Sequence, residues 1–355
     1  KKISHRYVRK TAAGVVALSM LCAAAIPSVL AMPAGAASAS GDLNGDGSVT
    51  AADAAILQTS LLGGTALTAE QYANADVTGD GAVDGLDLTR LRQMAAVVPV
   101  SDAIAIHLSD SGITVEGDTK GVTAVSGKTV TISASGNYTV DGSITDGQIL
   151  VNIPDTTADS DAVSLYLQDV TMTSSNGAPC ILGQSAKKLK LTCSGENTLT
   201  DTAAEANADT SGVIYGDCDI TVTKNSTGTL NITSSMNTAI RSKDDIKLNG
   251  GAVVINTDVD DTSDADAIRA NNTLEVDGAS VSITSSADGL KSSKEDVSIL
   301  SGKVSIKAGN DAVQAATALN ISGGTVIASG DRGFTLDENG TLAITGGDVL
   351  ATATD

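Results

Sequence analysis

The residues in this chain best suited to chemistry are oxygen donors at loop spacing. Asp42, Asn44, Asp46, Ser48, Thr50 and Asp53 fill positions 1, 3, 5, 7, 9 and 12 of a twelve-residue run, with Gly47 at turn position 6. Ca²⁺ is a hard cation that takes six or more oxygens, and this spacing curls side-chain oxygens and the Ser48 carbonyl around one point. The pattern recurs 34 residues on, with Asp76, Thr78, Asp80, Asp84 and Asp87 as donors and Gly81 at the turn. Thr78 stands where Asn or Asp is usual, which lowers the affinity expected of the second loop.

A second set lies farther along. Asp266, Asp288 and Asp311 each precede an apolar anchor by two residues, the anchors being Ile268, Leu290 and Val313. Arg241, Arg269, Lys291, Gln314 and Thr335 each follow an anchor by one. Asp244, Asp245, Asp260, Asp261, Asp264 and Glu295 crowd nearby, with Lys243 among them. Carboxylates brought to one strand spacing repel unless protonated or neutralised. A bound Ca²⁺ is the simplest neutraliser, so Asp244, Asp245, Asp266, Asp288 and Asp311 are candidate ligands. Lys243, Arg269 and Lys291 are candidates for pairing with an acidic ligand. Turn aspartates capping β-turns are the plainer reading of any one of these acids.

These residues need two kinds of scaffold. Each calcium loop runs into a short helical pattern, Ala54-Ile56-Leu57-Leu61 after the first and Leu88-Leu91-Met94 after the second. No helix is expected before either loop, and position 12 is Asp where an EF-hand has Glu. After Val100 the texture becomes short alternating runs between Gly, Asp and Ser turns. The anchors Ile240, Ile268, Leu290, Val313 and Phe334 are 28, 22, 23 and 21 residues apart. About ten residues after each comes a glycine turn: Gly250-Gly251, Asp277-Gly278, Ser301-Gly302, Gly323-Gly324 and Gly346-Gly347. A unit of roughly 22 residues holding three short strands is one coil of a parallel β-helix. An antiparallel sandwich would give turns without this superposed period. Stacking puts the Asp residues in one column and the bases in the next, about 4.8 Å per coil.

Composition agrees. The 355 residues carry 42 acids and 22 bases but one Phe and no Trp. That charge argues against nucleic acid, and so few rings exclude binding sugar by aromatic stacking. Residues 1–39 hold five bases (Lys1, Lys2, Arg6, Arg9, Lys10) and no acid, leaving 17 bases against 42 acids beyond them. The apolar run Val15–Met32 and the small residues Ala34-Gly35-Ala36 read as a signal peptide, giving a secreted chain with no membrane segment once processed. Of the four cysteines Cys22 falls in that apolar run; the three beyond it, Cys180, Cys193 and Cys218, are an odd count in apolar contexts and read as buried thiols, although export permits a disulfide.

Two loop–helix units in about 60 residues resemble a type I dockerin. That resemblance covers 41–96 and implies calcium in both loops and a cohesin domain of a scaffoldin as partner. At loop positions 10 and 11, where dockerins often carry Ser-Thr, this chain has Ala51-Ala52 and Gly85-Leu86. From about 104 onward, Ser174-Ser175-Asn176-Gly177-Ala178-Pro179, Gly195-Glu196-Asn197-Thr198-Leu199-Thr200-Asp201, Ser242-Lys243-Asp244-Asp245-Ile246 and Asp288-Gly289-Leu290-Lys291-Ser292 are similar to a family of secreted clostridial carbohydrate-binding proteins. Membership would imply a right-handed, polysaccharide-lyase-like β-helix, bound calcium, and binding of cellulose and of acidic sugars such as pectin. The expected layout is a signal peptide (1–39), a dockerin (40–98) and a β-helix (99–355). The expected function is a cellulosomal polysaccharide-binding protein, with a calcium-dependent pectate lyase as the alternative. A lysine set amid carboxylates holds its proton, which suits pairing better than proton abstraction.

Overall fold

The computed structural model describes residues 41–45, 49, 51–95, 103–257 and 265–353. The signal-peptide reading, the loop donors Asp46, Ser48 and Thr50, and Asp260, Asp261 and Asp264 lie outside them. Among the described residues no helix is long and apolar enough to cross a membrane.

Three helices come first: α1 (Ala51–Leu61), α2 (Ala69–Ala75) and α3 (Gly85–Ala95). The two after the loops are those the pattern predicts. The short α2 runs directly into Asp76, so the second loop does have a helix in front of it, contrary to expectation. Seven residues are too few to show a helical period, but a capping box starts this helix. The Thr68 hydroxyl accepts from the Gln71 amide (3.2 Å), and the Gln71 side chain accepts from the Thr68 amide (3.0 Å). Leu43, Ala54, Leu57, Ala75 and Leu91 form the buried centre of this small unit.

From Ile104 the chain is a parallel β-helix. A ten-stranded short sheet runs from Thr123–Ser126 to Arg332–Leu336, and a sixteen-stranded sheet supplies the other two strands of each coil. All pairings are parallel apart from two antiparallel hairpins at the amino-terminal end, Ile104–Ser109 with Gly112–Glu116 and Thr123–Ser126 with Thr129–Ile132. The five sequence anchors pair in one column: Ile240 with Ile268, Ile268 with Leu290, Leu290 with Val313, and Val313 with Phe334. The column reaches farther back than the sequence period showed, through Ile214 and Ile181 to Ile149 and Val130. Inserted loops such as 202–213 break the count there. The buried members of the column are fully enclosed, and each contributes about 1.5–3 kcal/mol of apolar burial.

The glycine turns also stack. Gly251, Gly278, Gly302, Gly324 and Gly347 have φ of +68°, +102°, +97°, +81° and +84°. At Gly302 an added Cβ would strike the Ala279 carbonyl of the coil below. Gly302→Ala is therefore expected to cost about 1–3 kcal/mol, read as an earlier urea midpoint with the fold otherwise kept. An unchanged midpoint would remove the turn's claim to glycine.

Candidate functional site

The second loop converges on one point. Asp76 accepts from the Gly79 (2.9 Å), Asp80 (3.2 Å) and Gly81 (3.0 Å) amides. Asp80 accepts from the Ala82 amide (2.9 Å), and Asp84 from the Leu86 amide (2.7 Å). Asp87 is buried; its Oδ1 takes the Thr78 amide (3.1 Å) and hydroxyl (2.9 Å), and its Oδ2 the Asp84 amide (2.9 Å). Burial pushes the Asp87 pKa up, but the Asp84 and Thr78 bonds outweigh it and hold the carboxyl below its usual range. Carboxylate oxygens of Asp76, Asp80 and Asp87 lie within 4.8 Å of one another. Two oxygens across a Ca²⁺ ion sit about that far apart, so the all-oxygen donor set and its spacing fit the ion. The Thr78 hydroxyl, engaged with Asp87, secures the position-12 residue. In the first loop Asp53 plays the Asp87 role: it is buried and its Oδ1 accepts from Leu43 (2.8 Å) and Asn44 (3.0 Å), while Asp42 accepts from Gly45 (2.7 Å).

On the β-helix, the short sheet alternates inward anchors with outward polar residues. Tyr215, Arg241, Arg269 and Lys291 are consecutive partners in one outward column, followed by Gln314 and Thr335. Tyr215 is a site residue the sequence reading missed, because it sits one coil before the regular period begins. Its ring is buried, with the Arg241 guanidinium 5.9 Å and the Lys243 ammonium 5.6 Å from the centroid.

Asp266, Asp288 and Asp311 do form a column, and all three are buried. Cations of the chain itself reach all three. Lys291 Nζ lies 2.5 Å from Asp288 Oδ2 and 3.9 Å from Asp266 Oδ2, and Arg269 is 3.6 Å from Asp266. Arg332, two residues before the anchor Phe334 of the next coil, clamps Asp311 with Nε at 2.6 Å and a second nitrogen at 3.0 Å. The amide of each next coil adds a bond, Asp288 to Asp266 Oδ1 (3.3 Å) and Asp311 to Asp288 Oδ1 (3.0 Å). Asp266 is the least satisfied of the three, its Oδ2 buried without a hydrogen bond. Burial is the main reason its pKa is pushed up to about 6; Lys291 and Arg269 oppose the shift and Asp288 adds to it.

The remaining candidates lie elsewhere. Asp244 and Asp245 sit in the turn beyond the three-residue strand Ile240–Ser242, on the edge of the sheet away from the Asp column. There Asp244 accepts from the Asn272 side chain (2.6 Å) and Asp245 from the Thr273 amide (3.0 Å). Lys243 pairs with Asp217 at 2.8 Å, the first cause of its raised pKa. The three cysteines are free and buried, and burial pushes each thiol up to about 12.

Comparison with known proteins places two matches on the chain. Residues 126–353 match the model of a family described as carbohydrate-binding domain-containing protein. Residues 40–94 match the type I dockerin domain. A carbohydrate-binding domain-containing protein of Acetivibrio thermocellus is 33% identical over 138 residues, 37% of this chain and 46% of the relative, so the alignment spans about half of that relative's length. A solved structure described as the polysaccharide lyase-like protein from C. thermocellum, a gadolinium derivative, aligns at a TM-score of 0.55 with 24% identity. The alignment covers 70% of this chain and all of the other, and the likeness is one of fold.

Proposed function

We propose, from the premise that this chain belongs to the family of carbohydrate-binding domain-containing proteins and carries a type I dockerin, that it is a secreted cellulosomal binding subunit. Its dockerin, folded around two Ca²⁺ ions, docks on a cohesin domain of a scaffoldin. Asp42, Asn44, Asp46, Ser48, Thr50 and Asp53 would hold one ion, and Asp76, Thr78, Asp80, Asp84 and Asp87 the other. The ions supply charge neutralisation and a fixed crossing point for the two loop–helix units.

The β-helix engages acidic plant polysaccharide such as pectin. The observation that carries this is the outward column Arg241, Arg269 and Lys291, one cation per coil in unbroken register. These cations keep donors to spare: a guanidinium has five N–H groups and an ammonium three, more than the Asp column takes. No calcium is needed in the solenoid on this reading, because Arg269, Lys291 and Arg332 already balance the three acids.

Affinity electrophoresis of the full chain in polygalacturonate gels tests it. Retardation is expected, and Arg269→Gln should weaken it about tenfold, one charge-assisted hydrogen bond. No retardation, with or without EDTA, would leave a passive spacer. An ultraviolet-absorbing unsaturated product from polygalacturonate with calcium would instead make the protein a lyase.

A further inference from the structure

The outward column of the short sheet that carries Arg241, Arg269 and Lys291 extends beyond them. Followed toward the amino-terminal end in the same unbroken pairing, its members are Tyr215, Leu182, Leu150 and Thr131. One line therefore holds two kinds of surface. Leu150 and Leu182 lie on one side of Tyr215, and the three cations lie on the other. Coils stacked about 4.8 Å apart put about 10 Å between Leu150 and Tyr215, and about as much between Arg241 and Lys291.

Both leucines face away from the interior. Leu150 alternates with the buried Ile149 and Val151, and Leu182 follows the buried Ile181. Neither is part of the hydrophobic core, and each is half-buried where it stands. A lone outward leucine needs no explanation. Two in register, heading a column whose other half is cationic, set a boundary between surfaces of different chemistry. Tyr215 marks that boundary. The Arg241 guanidinium and the Lys243 ammonium lie over its ring, 5.9 Å and 5.6 Å from the centroid, and beyond the ring the column is uncharged.

We propose that this column reads the ester pattern of an acidic polysaccharide: free uronates lie over Arg241, Arg269 and Lys291, and methyl-esterified uronates of the same chain lie over Leu182 and Leu150. The inference rests on the acidic-polysaccharide reading above and narrows its ligand to a partly esterified chain with the two kinds of sugar in separate blocks. A carboxylate pairs with a guanidinium or an ammonium. Over a leucine it would lose water and gain no partner. A methyl ester is neutral, and its methyl group over a leucine takes apolar surface out of water. Over the cations the ester would leave them without a counter-charge. Attraction and rejection thus act on both halves of the column. The cations supply the hold on the polymer, and Leu150 and Leu182 determine which polymer is preferred.

The test is affinity electrophoresis of the full chain in gels of polygalacturonate, of a pectin esterified in blocks, and of a pectin with the same ester content placed at random. The block pectin is expected to retard the parent about tenfold more strongly than either of the others, from about a fourfold gain for each methyl buried. Saponifying the block pectin should abolish the difference. Leu150→Ser/Leu182→Ser, which changes outward residues alone, should bring the ratio of block pectin to polygalacturonate to about one. Leu182→Lys, which lengthens the cation run, should bring it below one. Circular dichroism and the melting curve check that both variants fold, and the comparison of polymers on the parent needs neither. Equal retardation of the parent by block pectin and polygalacturonate, equal retardation by the two pectins, or an unchanged ratio in the folded leucine variants would overturn the proposal and leave the acidic-polysaccharide reading in place. No retardation of the parent in any gel would sink that reading, and this one with it.

Discussion

Lys291→Met is expected to lower the melting temperature of the β-helix by about 10 °C, the equivalent of about 3 kcal/mol for a domain of this size. The Lys291 side chain is 22% exposed, but the carboxylates it serves, Asp288 and Asp266, are 5% and 3% exposed. Removing the ammonium leaves one carboxylate without its 2.5 Å partner and another more than nine-tenths buried with an unbonded oxygen. Breaking a buried pair from one side costs far more than the pair contributes, because the orphaned charge stays behind. The companion variant Lys291→Met/Asp288→Asn should recover most of the loss, since the charge then leaves with its partner. Thermal melts of the four members of this cycle, with and without EDTA, decide between two neutralisers. If calcium rather than Lys291 balanced the column, the single variant would melt like the parent and EDTA would lower both.

Asp266 adds a pH signature to the same experiment. A carboxyl whose folded pKa is about 6 against an ordinary 3.8 binds its proton more tightly folded than unfolded. Its contribution to stability is therefore fully present below about pH 4 and falls away as pH rises through about 6. Asp266→Asn should flatten that part of the stability profile.

Calcium removal is expected to abolish cohesin binding, by more than about a hundredfold, while leaving the β-helix melt unchanged. The reason is the size of the dockerin core: among the described residues Leu43, Ala54, Leu57, Ala75 and Leu91 are the buried apolar ones. A core that small does not sustain a unit of about 55 residues without staples. In such a unit the free energy of metal binding is folding free energy. The loop carboxylates also sharpen the effect. Asp76, Asp80 and Asp87 stand close enough to share one ion, and without it their charges repel. Asp87→Ala should act like EDTA on the second loop alone, because it removes both a ligand and the acceptor that fastens Thr78 and Asp84. A pull-down on immobilised cohesin in calcium and in EDTA reads the outcome. Retained binding in EDTA would show that the helices hold themselves.

Much of this was readable from local spacing. A calcium loop is a contiguous run, so the positions of Asp76, Asp80 and Asp87 in sequence already imply that they converge. The β-helix announced itself through a period, because coil stacking repeats the same inside–outside choice at Ile240, Ile268, Leu290 and Val313. The glycine turns were legible for the same reason, each marking a backbone conformation that other residues avoid. Irregular coils hid the rest: the inserted loops upstream of Ile214 and Ile240 erased the period, and with it the place of Tyr215 beside Arg241.

What only the tertiary structure decided is who neutralises whom. From the sequence, Asp266, Asp288 and Asp311 were a column in need of a cation, and calcium was the economical choice. Stacking also brings Lys291, three residues on, back over Asp288, and sets Arg332 of the next coil against Asp311. Neither approach is visible in the spacing, since it depends on how long side chains fold back across a three-residue strand. The same limit applies to Asp244 and Asp245, which share the acidic character of the column but stand across the sheet from it. Sequence alone determined the scaffold and its rows, because those follow from backbone periodicity. The pairing of charges across rows is set by side-chain reach in three dimensions, and it places Lys291, Arg269 and Arg332 against the column of acids.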